Sequence, residues 1–147
     1  MIKSILIVCE GNVCRSPMAM GLFARQLEGA QITSAGTGAL VGEGADPMAI
    51  ELMAESGIDL RAHVATAVDP RIIRAADLVL TANTAQKQSI ERAFPFARGR
   101  IFRLREHANR DVSDPYKRDR KAFEAALSEI DDGMRRWLDI INRTNQR

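Results

Sequence analysis

Residues 5–16 read ILIVCEGNVCRS. Ile5–Val8 is apolar without alternation, which predicts a strand buried on both faces. The strand runs into a short polar loop after Cys9. Ser16-Pro17 then predicts a helix start, with Ser16 as cap and Pro17 in the first turn, where a missing N–H costs nothing. Five residues lie between Cys9 and Arg15. A turn that short can aim several backbone N–H groups at one point. The helix start adds unpaired donors and the positive end of its dipole. The expectation is an anion cradle with a thiol at one end and a guanidinium at the other. Such a nest suits a tetrahedral dianion and favours Cys9 as a thiolate nucleophile. Arg15 can clamp two oxygens in a fork that lysine could not reproduce. Ser16 can donate a hydrogen bond to the sulfur, and Asn12 can hold the loop's shape. The plainer alternative is a small buried cysteine at a strand end beside a surface arginine. The position between an apolar strand and a capped helix favours the cradle.

Working outward, strands and helices alternate. Ile2–Val8, Ile32–Ala35, Asp77–Thr81 and Ile101–Leu104 read as strands. Helices are expected from Ser16 to about Glu28, from Asp46-Pro47 to Gly57, as a short turn from Asp69-Pro70, and over Ala82–Ala93. Gly36–Gly44 and Arg105–Arg118 read as loops, and His63–Val68 is ambiguous. Phe123, Leu127, Ile130, Met134, Trp137 and Ile141 recur at steps of 4, 3, 4, 3 and 4. That places all six on one face of a helix over Arg120–Asn142, laid on the sheet rather than in a coiled coil. The alternation predicts an α/β fold of three layers, α/β/α. Its sheet is four-stranded and mostly parallel, with the phosphate-binding loop after strand 1. At 147 residues, a single domain over 1–147 is expected.

Several classes are disfavoured. No apolar run approaches the ~20 residues of a membrane span, and no secretory signal is visible, so a cytoplasmic protein without membrane insertion is expected. The two cysteines, Cys9 and Cys14, are too close in sequence to staple a fold. A nucleotide P-loop wants Lys-Ser/Thr at the helix start, and a dinucleotide loop wants three glycines. Neither His63 nor His107 forms a metal cluster with the cysteines, and both read as structural or exposed. No metal or cofactor is expected. Between Arg98 and Lys121, nine Lys/Arg stand against four Asp/Glu. That excess suits steering of an acidic or multiply phosphorylated peptide. No aromatic interleaving suggests nucleic acid.

Val8–Pro17, VCEGNVCRSP, resembles the signature of the low-molecular-weight protein tyrosine phosphatases, whose ancestry includes thioredoxin-linked arsenate reductases. Ser34–Thr37, Gly57–Leu60 and Asp114–Tyr116 fit the same family in the same order, so the likeness spans nearly the whole chain. It is greatest for the bacterial members associated with capsule or exopolysaccharide tyrosine kinases. The resemblance implies Cys9 as nucleophile, Arg15 as phosphate clamp and Asp114 as general acid. Cys9, Glu10, Gly11, Asn12, Val13, Cys14 and Arg15 are then the phosphate-binding positions, with Asn12 and Ser16 as loop support. Leu40 and Tyr116 line the substrate entrance. Without the resemblance Asp114-Pro115 is an ordinary turn starter, and Asp111 is a second candidate acid. Cys14 either fills space or, as the resemblance implies, traps oxidised Cys9 as a disulfide. Glu10 stands where many relatives have an apolar residue, and either tunes specificity or faces solvent. Thr81-Ala82-Asn83 replaces the methionine-aspartate start of eukaryotic relatives, which puts a loop contact in doubt. Lys117 after Tyr116 speaks against a paired-tyrosine phosphorylation switch.

The implied function is hydrolysis of protein phosphotyrosine through a cysteinyl phosphate. The implied partner is a bacterial tyrosine autokinase, with the enzyme a monomer or weak dimer. The alternatives are an arsenate reductase, disfavoured because no resolving cysteine follows Cys14, and a non-catalytic phosphopeptide-binding module, disfavoured by the presence of both Cys9 and Asp114.

Overall fold

The computed structural model describes residues 1–146; Arg147 lies outside the described residues. Four strands form one sheet: β1 (Ser4–Cys9), β2 (Gln31–Gly36), β3 (Leu78–Thr81) and β4 (Ile101–Arg103). Their order is β2-β1-β3-β4, and every pairing is parallel. The helices are α1 (Arg15–Gln26), α2 (Pro47–Ala54), α3 (Pro70–Ala75), α4 (Thr84–Ala93) and α5 (Arg120–Asn145). Short 3-10 turns cover Pro95–Ala97 and Glu106–Ala108.

The two-residue period of a strand explains how β1 serves two cores at once. Ile5 and Ile7 join α1, α2 and α5 on one face, through Met18, Phe23, Met53, Phe123 and Ile130. Leu6 and Val8 point the other way, to Ile73 of α3 and Ile90 of α4. β3 divides likewise, Leu78 and Leu80 to the first face and Val79 to the second. The three layers follow from that division. The chain passes from β1 to β2 on one side and returns to β3 on the other. The carboxyl ends of β1 and β3 therefore flank the point where strand order reverses, the usual crevice for a ligand. Cys9 is the last residue of β1.

Caps explain most helix starts. Asp46 and Asp69 accept from Met48 N and Ile72 N, each with a proline opening the helix. Asn83 and Gln86 form a capping box, so α4 begins at Thr84, and Ala82 and Asn83 lie before it. The expected cap at Ser16 is not used. The helix opens at Arg15, and its N-cap Cys14 makes no side-chain cap bond. The reason is that the Ser16 hydroxyl is engaged elsewhere, by Cys9 and Asn12. α1 stops at Gln26 rather than Glu28, with Leu27 as its C-cap.

α5 carries the anticipated stripe, with Phe123, Ile130, Met134, Trp137 and Ile141 buried and Leu127 partly so. It extends beyond Asn142 because Asn145 exchanges hydrogen bonds with the backbone of Ile2, at 2.7 and 2.9 Å. Gly133 sits where α5 meets β4's end; a Cβ there would collide with the Leu104 carbonyl. The ambiguous segment 63–68 is extended and runs beside the end of β2, with Gly36 N on Thr66 O at 2.9 Å and Val68 N on Gly36 O at 3.1 Å.

Candidate active site

The loop after β1 turns its carbonyls outward. Those of Cys9, Glu10 and Gly11 accept from Thr37 N, Gly38 N and Leu40 N at 3.0, 2.9 and 3.1 Å. Val13 O accepts from Asp46 N at 2.8 Å, and Cys14 O from Met18 N at 3.1 Å. Asn12 O lies 2.7 Å from His63 Nε2, which must carry the proton because a carbonyl only accepts. Holding these six consecutive carbonyls from outside leaves the N–H groups facing inward. Among the described residues, the amides of Gly11, Val13, Cys14 and Arg15 have no protein acceptor. Asn12 N–H points at Cys9 Sγ, 3.2 Å away. This is an anion nest at a helix start.

Asn12 is the loop's internal brace. It is fully buried, with φ of 59°. Asparagine tolerates this left-handed region better than most residues. Its Nδ2 donates to Ser16 Oγ at 2.8 Å and to Ser34 Oγ at 3.0 Å, while Oδ1 accepts from Thr66 N at 2.8 Å. Ser16 Oγ also lies 2.9 Å from Cys9 Sγ, and while the sulfur is protonated either atom can be the donor. A thiolate can only accept, so the Ser16 hydroxyl and the Asn12 amide together form a donor pair for it.

Arg15 is buried at the other end of the nest. One guanidinium nitrogen donates to Val112 O at 2.9 Å, and another lies 3.6 Å from Asp114 Oδ2. Val112 N in turn donates to Ala82 O, and Ala82 N to Val8 O, both at 2.8 Å. Thr81-Ala82-Asn83 thus meets the loop through main-chain atoms of Ala82. Asp114 is half exposed and accepts from Tyr116 N at 3.1 Å. The neighbouring Ser113 donates through both N and Oγ to Glu129 Oε1 of α5, at 2.9 and 2.6 Å. Asp111, the rival acid, is held away by Thr84 and Arg103.

Cys9, Glu10, Gly11, Val13, Cys14, Arg15, Leu40, Asp114 and Tyr116 border one cavity with Gly38, about 170 Å³ in volume. That is below the ~300 Å³ of ordinary small-molecule sites. It suits the tip of a larger substrate, such as a phosphorylated side chain. Asn12 and Ser16 stand behind this lining, as braces. Cys14 is packed into the core beneath it. Burial pushes its thiol well above the ordinary range, and Asp46, Cys9 and Asp114 push the same way, so it is a neutral thiol at physiological pH. Both cysteines are free.

Sequence reasoning missed Thr66 and Glu129, which act through distant backbone or loop contacts; His63, expected to be structural or exposed, is structural, its Nε2 on Asn12 O. His107 lies 3.5 Å from Asp132, on the surface. Three cations of the expected excess are engaged in ion pairs of the fold. Arg103 pairs with Glu106 and Asp111, Arg105 with Glu129 and Asp132, and Arg120 with Glu55 and Glu124. Among the described residues, no helix is long and apolar enough to cross a membrane.

Comparison with known proteins agrees with this geometry. The family model described as low molecular weight phosphotyrosine protein phosphatase matches residues 4–147. A probable low molecular weight protein-tyrosine-phosphatase, EpsP of Ralstonia nicotianae, is 46% identical over 141 residues, covering 96% of this chain and 97% of its own. The crystal structure of the tyrosine phosphatase Wzb from Escherichia coli K30, in complex with sulphate, superposes with a TM-score of 0.91 at 33% identity, covering 96% of this chain and 99% of that one. The YwlE arginine phosphatase from Geobacillus stearothermophilus has a TM-score of 0.90 at 31% identity, over 97% and 95% of the two chains. With a family match over almost its entire length and relatives of the same extent, the chain belongs to the low molecular weight phosphotyrosine protein phosphatases.

Proposed function

We propose that the chain hydrolyses protein phosphotyrosine by two in-line displacements at phosphorus. The observation that carries this is a ring of inward amides around a sulfur that, as a thiolate, accepts from both Asn12 N–H and the Ser16 hydroxyl. The Cys9 thiolate attacks phosphorus, the P–O bond to the phenol breaks, and Asp114 gives its proton to the departing oxygen. Water then attacks the cysteinyl phosphate, Asp114 takes a proton from it, and the P–S bond breaks to return the thiolate and inorganic phosphate. Loop amides and Arg15 carry the charge on the equatorial oxygens in both steps. The incoming dianion competes with Asp114 for the Arg15 guanidinium, which frees the carboxyl to meet the leaving oxygen.

Leu40 and Tyr116 supply the apolar walls that a phenyl ring would lie against. The proposed protein substrate is a bacterial tyrosine autokinase linked to exopolysaccharide production, an assignment that rests on the kind of relative the opening motif resembles. The enzyme acts as a monomer or weak dimer in this reading. Because an arginine phosphatase shares the fold, phosphoarginine is the control. A phosphotyrosine peptide, a phosphoarginine peptide and p-nitrophenyl phosphate are offered to the wild type and to Cys9→Ser under reducing conditions. Turnover of the tyrosine peptide and aryl phosphate by the wild type alone is expected. Undiminished turnover by Cys9→Ser, or a preference for phosphoarginine, refutes the proposal.

A further inference from the structure

The entrance carries a carboxylate that this reaction does not use. Glu10 is exposed, follows Cys9 directly and borders the cavity. Its carbonyl is held by Gly38 N, and its Cγ lies 3.6 Å from where a Cβ on Gly38 would stand. The side chain therefore runs beside Gly38. Among the described residues, no cation pairs with it. The acids around the Asp114 loop differ: Glu106, Asp111, Glu129 and Asp132 each have an arginine. The Tyr116 wall has the opposite sign, with Lys117 Nζ 5.5 Å from the ring centroid.

An unpaired carboxylate beside a dianion site repels every phosphorylated substrate, and the repulsion is offset when the substrate brings its own cation. We propose that Glu10 is a specificity-determining residue that selects phosphotyrosine segments bearing a lysine or arginine next to the phosphotyrosine. The proposal rests on the phosphotyrosine reading above. The carboxylate is exposed, so its effect is modest, about 5-fold in kcat/KM at low salt, and salt weakens it.

The test uses two phosphotyrosine peptides that differ only in the residues on both sides of the phosphotyrosine, lysine in one and glutamate in the other. Phosphate release gives kcat/KM for the wild type, Glu10→Gln and Glu10→Lys, with p-nitrophenyl phosphate as the common reference. Comparing the two peptides across variants cancels the contribution of Lys117. The lysine-over-glutamate ratio should fall about 5-fold in Glu10→Gln and further in Glu10→Lys, and the change should shrink in about 0.5 M salt. An unchanged ratio in both variants overturns the role of Glu10. Failure of the wild type on both peptides and the aryl phosphate overturns the underlying hydrolase reading instead.

Discussion

Replacing Asn12 by alanine should cost about 4 kcal/mol of folding stability. The substitution removes three side-chain hydrogen bonds, to Ser16 Oγ, Ser34 Oγ and Thr66 N. At ~1 kcal/mol net for each, these account for about 3 kcal/mol. The backbone adds the rest. A φ of 59° suits asparagine, but an alanine Cβ there adds ~1 kcal/mol. Urea denaturation followed by the fluorescence of Trp137 measures the change. Trp137 is the single tryptophan and is buried, its indole N–H shared by the carbonyls of Arg103 and Leu104. With a slope of about 2 kcal/mol/M, the midpoint should fall by about 2 M. Asn12→Gly separates the contributions, since glycine loses the same hydrogen bonds without the steric cost of the left-handed backbone. It should be more stable than Asn12→Ala by several tenths of a kcal/mol or more. A loss under 1 kcal/mol in Asn12→Ala would show that the brace is not what holds the loop. Equal stability of the alanine and glycine variants would reject the backbone part of the reasoning.

Glu129→Ala removes the one carboxylate oxygen that accepts from both Ser113 N and Oγ and loosens the segment that presents Asp114; turnover of phenyl phosphate should fall roughly 10-fold while an activated nitrophenyl ester is less affected, and equal loss on both would argue against a role in placing the acid. Gly133→Ala pushes a methyl into the Leu104 carbonyl and should cost about 2–3 kcal/mol in urea, with refutation if stability is unchanged. Glu106 titrates at about 2: burial opposes this, but hydrogen bonds from Lys87 and Arg103 prevail. A carboxylate held below its unfolded value stabilises the fold above about pH 4.5, and that contribution is lost as pH falls from there toward 2. Solvent around this partly exposed cluster trims the contribution to about 1 kcal/mol. The stability gap between wild type and Glu106→Gln should therefore close between pH 5 and about 2, and a gap independent of pH would refute the assignment.

The parts of the fold that could be read from the sequence are those set by local chemistry. Ile5–Val8 shows its double burial because no polar residue interrupts it, and α5 shows its face because six apolar residues keep helical spacing. Asp46-Pro47 and Asp69-Pro70 announce their helices by capping. Ser16-Pro17 has the same grammar but a different outcome, because the Ser16 hydroxyl finds a sulfur and an amide that only the folded loop brings near. In the site, the Cys9–Arg15 loop was legible as a cradle. The roles of His63 and Thr66 were not, because both meet Asn12 across more than fifty positions. The basic excess between residues 98 and 121 was visible as composition, but acids that pair with Arg105 and Arg120 lie outside that window, Asp132 in α5 and Glu55 just after α2.

The path Val8–Ala82–Val112–Arg15 joins the end of the central strand to the acid-bearing loop, and it uses main-chain atoms from three of its four residues. Ala82 contributes only its N–H and its carbonyl, groups that nearly every amino acid possesses. The spacing between thiol and carboxyl therefore rests on main-chain atoms at the end of β3. Proline at 82 or 112 would delete a donor from the path, and since both side chains are buried in the core their size is limited there as well.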